Sequence, residues 1–197
     1  KIKMTDDSEP FPILQKIEQA AQRAVDLTRQ LLAFAKGGEP INEITSIVDL
    51  IKETVSFILA GSGVNCEFDI QDGLWSVDID TGQISQVLNN IIINAMQAMP
   101  EGGTIYIVAR NYEGKLDVTL PEGKYVTFSI ADEGPGIPQK ILNKIFDPYF
   151  TTKDYGTGLG LASSYSIIKR HGGHIKVESQ EGEGTTFRIY LREGKML

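Results

Sequence analysis

Three glycines stand at alternate positions in Gly156-Thr157-Gly158-Leu159-Gly160-Leu161, directly ahead of a helically spaced run that ends near Arg170. A helix entered through such a loop turns free backbone N–H groups and the positive end of its dipole toward an anion. The loop is not of the Walker type, since no Gly-Lys-Ser/Thr follows, and it lacks the G-x-G-x-x-G spacing of a Rossmann fingerprint. A Rossmann loop would also open the first βα unit, and this one lies near the chain's end. Two motifs precede it: Asn90-Ile91-Ile92-Ile93-Asn94 and Asp132-Glu133-Gly134-Pro135-Gly136-Ile137-Pro138. A glycine loop, an aspartate leading into glycines, and two asparagines one helical turn apart together describe a nucleotide site.

Bulk properties narrow the class. At 197 residues the chain holds one domain of ordinary size plus an appended element. Nineteen Lys and Arg against 26 Asp and Glu leave a net charge of -7, which argues against nucleic acid as a partner, since that needs a cationic surface. The single cysteine, Cys66, excludes an intramolecular disulfide and fits a reducing, cytoplasmic compartment. No apolar run is long enough to span a bilayer, so no direct membrane contact is expected. No signal peptide is visible, and the start at Lys1 suggests a piece of something longer.

Gly37, Gly38 and Pro40 divide the chain into residues 1–38 and 39–197. From Pro10 to Ala35 the pattern is heptad-like, with Ile17, Ala24 and Leu31 at a and Ile13, Ala20, Leu27 and Phe34 at d. Leu14, Ala21, Thr28 and Ala35 fall at e, giving the broad stripe of a bundle helix. Such a stripe calls for partner helices, in a bundle or a dimer; packing on its own globular domain is the plainer alternative.

After the break the pattern is α+β. Helices are expected at Ile47 to Leu59, Ile84 to Met99 and Leu159 to Arg170, the last stopped by Gly172-Gly173. Strands are expected at Val64 to Ile70, Thr104 to Ala109 and Tyr125 to Ala131, the last ending at Asp132. Ile175 to Glu178 and Thr186 to Leu191 read as a closing hairpin, and residues 111–123 as an irregular hairpin or insertion.

The long helix carries two stripes. Ile84, Leu88, Ile92, Ala95 and Met99 make an apolar face, whereas Gln83, Gln86, Asn90, Asn94 and Gln97 make an amide face. An amide carbonyl can ligate Mg²⁺, a hard cation that usually shares its shell with phosphate and water. A solvated polar face is the bland alternative. Asp132 can accept a hydrogen bond from an exocyclic amino group such as adenine's. Gly134 and Gly136 would let the backbone lie against a flat purine, although a plain Asp-Gly turn fits as well. Residues 147–157 read as a mobile lid whose stem is anchored by Phe146, Tyr149 and Phe150. Lys153 is placed to supply a cation to a terminal phosphate, or is simply an exposed lysine.

These motifs resemble the asparagine, first glycine, phenylalanine and second glycine boxes of sensor histidine kinases, members of the gyrase, Hsp90, histidine kinase and MutL (GHKL) ATPase superfamily. The likeness covers residues 10–192, and Phe146-Asp147-Pro148-Tyr149-Phe150-Thr151-Thr152-Lys153 is similar to the nitrogen-regulation type. It implies a two-layer α/β sandwich with a mixed sheet (the Bergerat fold), preceded by the second helix of a dimerisation bundle. It implies ATP held by Asn90, Asn94, Gln97, Asp132, Gly134, Gly136, Ile137, Phe150, Thr151, Thr152, Lys153 and Thr185, together with Gly156, Thr157, Gly158, Leu159, Gly160 and Leu161. Asn94 would ligate Mg²⁺, Asp132 would hold the adenine amino group, Asn90 and Lys153 would serve the transfer step, and Gly182 and Gly184 match a last glycine box.

The resemblance also implies transfer of the γ-phosphoryl group to a histidine on a helix of the same or a partner subunit, then to an aspartate of a response-regulator receiver domain. It implies a full-length homodimer of prokaryotic type. Two features depart from the pattern. Gln97 stands where many relatives carry Lys or Arg. The phosphoacceptor histidine is missing, because His171 and His174 flank Gly172-Gly173 and read as a helix end and a strand start. The chain is therefore expected not to phosphorylate itself. Relatives that hydrolyse ATP carry a glutamate where Asn90 stands, and asparagine cannot act as a base, so slow hydrolysis is expected. A serine kinase of the anti-sigma-factor type and a non-catalytic scaffold are the other readings.

Overall fold

The computed structural model describes residues 13–15, 17, 39–115, 120–153 and 156–194. The chain falls into two units, Lys1–Gly38 and Glu39–Leu197. In the first, the described residues are helical, and Ile13, Leu14 and Ile17 of the expected stripe are exposed. The rest of the heptad reading lies outside the described residues.

The second unit runs β1 (Glu43–Thr45), α1 (Ile47–Leu59), β2 (Val64–Ile70), β3 (Val77–Ile79), α2 (Thr81–Ala98), β4 (Gly103–Gly114), β5 (Gly123–Asp132), α3 (Gln139–Leu142), α4 (Gly160–Arg170), β6 (His174–Gln180) and β7 (Gly184–Arg192). Five strands form one mixed sheet in the order β2-β4-β5-β7-β6. β2 runs parallel to β4, and every other neighbour is antiparallel.

Alternation decides which face is covered. Ile105, Ile107 and Ala109 of β4, Phe128 and Ile130 of β5, and Phe187, Ile189 and Leu191 of β7 are all buried. They share one core with Ile47, Ile51 and Val55 of α1 and with the expected apolar stripe of α2. Each fully buried isoleucine contributes on the order of 2 kcal/mol. Val87 and Ile91 are buried too, because α2 packs against α1 on one side and α4 on the other. The result is the two-layer sandwich with a mixed sheet that the sequence implies.

Caps set the helix starts. The Ser46 side chain accepts from the Val48 N–H at 3.3 Å, and Asp80 Oδ1 accepts from the Gln83 N–H at 3.0 Å. Asp80 therefore caps α2 four residues ahead of its first apolar residue, Ile84. Within the expected irregular hairpin at 111–123, β4 continues to Gly114 and β5 begins at Gly123, while residues 116–119 lie outside the described residues. Tyr125 Oη donates to the Pro121 carbonyl, four residues upstream, at 2.7 Å. The small β1–β3 sheet is an addition. No helix among the described residues is long and apolar enough to cross a membrane.

Both histidines have structural posts. His171 caps α4 and is buried, its Nδ1 donating to the Ile167 carbonyl at 2.8 Å while its Nε2 accepts from the Asp80 N–H at 3.0 Å. It thereby ties the end of α4 to the start of α2. His174 opens β6, and burial, with Lys169 and Lys176 nearby, pushes its imidazole below the ordinary value.

Candidate nucleotide-binding site

The amide stripe of α2 is partly buried against its neighbours, with Gln97 alone exposed. Gln86 Nε2 donates to Ser163 Oγ at 3.2 Å, and Asn90 Nδ2 donates to the Gly160 carbonyl at 2.9 Å, so both side chains point at α4. One turn on, Asn94 Oδ1 and Gln97 Oε1 accept from the Lys153 ammonium at 2.9 and 2.6 Å. The stripe thus collects the helix that follows the glycine loop and the lysine of the lid segment. Burial lowers the Lys153 ammonium below its ordinary value.

The glycine loop meets this stripe where α4 begins. Leu159 is buried at the N-cap without a side-chain cap, so the first N–H groups of α4 remain open to an acceptor. Gly160 approaches Asn90 closely enough that a Cβ there would touch the carboxamide at 3.5 Å. Gly158 takes a positive φ of 68° and accepts from the Tyr149 N–H at 3.0 Å. Thr157 Oγ1 accepts from the Leu159 N–H at 3.4 Å, and Leu161 packs against the core.

In the lid stem Phe146 stacks on Tyr165 at 5.3 Å between centroids and Phe150 packs on the core. Tyr149 does not anchor it through its ring, contrary to expectation. Its φ of 67° is an uncommon left-handed value for a non-glycine residue, it is 68% exposed, and it holds the loop by its backbone instead. Thr151 Oγ1 accepts from the Lys153 N–H at 3.1 Å, Gly156 N–H donates to the Lys153 carbonyl at 3.1 Å, and Thr152 is exposed. Residues 154 and 155 lie outside the described residues.

A second group gathers around Asp132 at the end of β5. Burial pushes its carboxyl up, while the backbone N–H groups of Gly134 and Thr185 hold it partly back. The Gly134 N–H donates to Asp132 Oδ1 at 2.9 Å. The two glycines have packing reasons that need no purine: a Cβ on Gly134 would press on Ala98 of α2, and one on Gly136 would strike the Gln180 carbonyl. Ile137 N–H donates to Ser179 Oγ at 2.8 Å, and Ser179 Oγ in turn lies 3.0 Å from the buried Thr185 Oγ1. Gly134 against Ala98 brings this group beside Gln97, so both groups meet along α2.

Several of these contacts carry no sequence signal. Ser163 and Ser164 lie in a small-residue run at the start of a helix, and Ser179 sits in an alternating strand. Glu133 accepts from the Thr104 N–H and from Tyr106 Oη, each at 2.9 Å, and pins the loop to β4. Only its place inside the Asp132 motif could have drawn notice.

Among the described residues no three His, Cys, Asp or Glu side chains come together as metal ligands. A hard cation would therefore depend on amide oxygen and on the oxygens of its own phosphates. Asn94 Oδ1 fits that part, because it already faces a cation, the Lys153 ammonium.

The sequence profile described as "Histidine kinase-, DNA gyrase B-, and HSP90-like ATPase" matches residues 79–195, which hold every element of this site. The chain belongs to that family. Within this ATPase family it is 43% identical to "Sensor kinase CckA" of Brucella abortus (strain 2308) over 190 residues, or 92% of this chain and 20% of that protein. It thus spans about a fifth of that curated relative. The catalytic domain of histidine kinase ThkA, nucleotide free, superposes with a TM-score of 0.65 at 31% identity, covering 77% of this chain and 95% of that one. ThkA in complex with response regulator protein TrrA superposes with a TM-score of 0.73 at 25% identity, covering 97% of this chain and 53% of that one. The family and the fold implied by the sequence motifs are both borne out.

Proposed function

We propose that this chain binds Mg-ATP and delivers its γ-phosphoryl group to a histidine on a helical bundle, as the catalytic part of a two-component kinase. Asp132 accepts from the adenine amino group, with Gly134, Gly136, Ile137 and Thr185 shaping that end. The N-terminus of α4 and the loop Gly156 to Gly160 receive the phosphates. Asn94, with Asn90 beside it, holds Mg²⁺, which when bound neutralises phosphate charge and fixes the chain of phosphates in line for transfer. Lys153 leaves the amides and follows the terminal phosphate, with Gln97 as its resting partner.

One observation carries the choice of transfer over hydrolysis. Asn90 donates through Nδ2 to the Gly160 carbonyl and to Ser164 Oγ, so the group nearest the loop is a fixed amide and not a base. A site that positions and neutralises without a base suits an outside nucleophile.

His171 is committed at both ring nitrogens, which leaves it unfit as a phosphoacceptor. The acceptor histidine therefore belongs to a helix of the same or a partner subunit, in a full-length homodimer whose bundle includes residues 10–36. An aspartate of a receiver domain is the next acceptor, in keeping with the ThkA–TrrA complex. The lid stem suits a kinase of the nitrogen-regulation type. Mixing this chain with a fragment that carries the upstream helix, Mg²⁺ and ATP should produce acid-labile phosphate on that fragment. Acid-stable phosphate on serine would favour the anti-sigma-factor type, and no transfer would favour the scaffold.

A further inference from the structure

Two serines of α4 face two amides of α2. Ser163 Oγ accepts from Gln86 Nε2 at 3.2 Å, and Ser164 Oγ accepts from Asn90 Nδ2 at the same distance. Ser164 is fully buried, and its hydroxyl hydrogen goes to the Gly160 carbonyl at 2.9 Å, the same carbonyl that takes the other Asn90 hydrogen. A carboxamide nitrogen carries two hydrogens, and here both are engaged by α4. The amide plane is thereby fixed, and Oδ1 is the end left for a ligand.

We propose that Ser164 is a positioning residue that acts through Asn90, fixing the carboxamide so that its oxygen, and not its NH₂, faces the metal–phosphate site. The inference rests on the Mg-ATP reading above and deepens it. Without the hydroxyl, Asn90 keeps one anchor, at Gly160, and its amide gains freedom to turn. An NH₂ turned outward repels a cation and its polarised waters, whereas an oxygen attracts them. Ser164 is fully buried where α4 packs on α2, so the hydroxyl is lost to a site closed from solvent. The role is of the outer-shell kind, in which a group beyond the ligand orients it, and loss of such a group costs about tenfold or more in metal affinity.

The test uses the 197-residue chain and a non-hydrolysable ATP analogue, titrated with Mg²⁺ and again in chelator, with thermal melts confirming each fold. Ser164→Ala should raise the Kd measured with Mg²⁺ by about tenfold and leave the Kd in chelator unchanged. Ser164→Thr, which keeps the hydroxyl, should retain most of the Mg²⁺-dependent affinity. Ser163→Ala, which releases Gln86 alone, should match wild type in both conditions. An unaltered Kd in Ser164→Ala would overturn the proposal, as would an equal loss with and without Mg²⁺, which marks a purely structural serine. Absence of any Mg²⁺-dependent binding by the wild-type chain would instead overturn the Mg-ATP reading beneath it.

Discussion

The Lys153 ammonium donates to Asn94 Oδ1 at 2.9 Å, so the lid cation occupies the same oxygen that a hard metal ion would take. If Asn94 ligates Mg²⁺ as proposed, lysine and metal compete for one acceptor. Gln97 Oε1 strengthens the lysine's hold at 2.6 Å. Lys153→Met should lower the Mg²⁺ concentration for half-maximal nucleotide binding by about three- to tenfold, the worth of one net hydrogen bond. Phosphoryl transfer should fall in the same variant, because the lysine no longer reaches the phosphate. A Mg²⁺ titration at fixed analogue concentration, set beside a transfer assay, separates the two effects.

The adenine role proposed for Asp132 comes with a cost to the fold. Burial raises its carboxyl above the ordinary value, so the folded protein binds the proton more tightly than the unfolded chain does. Ionised Asp132 therefore destabilises the fold, and the penalty disappears as pH falls through the raised value toward the ordinary one. Asp132→Asn should melt a few degrees higher at neutral pH, with less gain in stability on acidification. Its NH₂ would meet the adenine amino group donor to donor, so nucleotide affinity should drop by about tenfold or more. In wild type, binding should weaken as pH falls, starting at a higher pH than for an ordinary carboxylate. Melting curves and a pH series of analogue titrations check both halves.

The last hairpin offers a contrast between two glycines. Gly182 has φ 85° with open space where a Cβ would sit, whereas Gly184 has φ 103° and a Cβ there would run into the Asp132 carbonyl. Gly182→Ala should cost about 1–2 kcal/mol, the ordinary price of a left-handed residue. Gly184→Ala should cost more than about 3 kcal/mol, because strain and collision add at a paired strand end. It should also disturb adenine binding through Asp132. Chemical denaturation of the two variants measures the difference.

Elements with several turns or alternations were legible in the sequence. Ile47–Leu59 and Val64–Ile70 fall where their apolar spacing puts them. Three-residue β1 and β3 carry too few positions for any period; they form through tertiary pairing, β1 with β3 and Val77 of β3 also with Glu193. The site motifs were legible because loop, aspartate and asparagines are each local in sequence. What joins them was not, since the Ser163–Gln86 and Ser164–Asn90 contacts arise from how α4 packs on α2, across 77 and 74 residues. Tyr149 misled for a related reason: an aromatic in a lid stem suggests packing, and only its backbone torsion reveals that its N–H does the holding.

Whether α2 presents Asn94 to a magnesium-bound adenine nucleotide is decided by calorimetric titration of wild type and Asn94→Ala with ATP and GTP analogues. That role of Asn94 requires Mg²⁺-dependent binding of the adenine analogue, at least tenfold weaker binding of the guanine one, and loss of the Mg²⁺ dependence in Asn94→Ala. Equal affinity for both bases, or an Asn94→Ala variant that binds Mg-ATP like wild type, would contradict it.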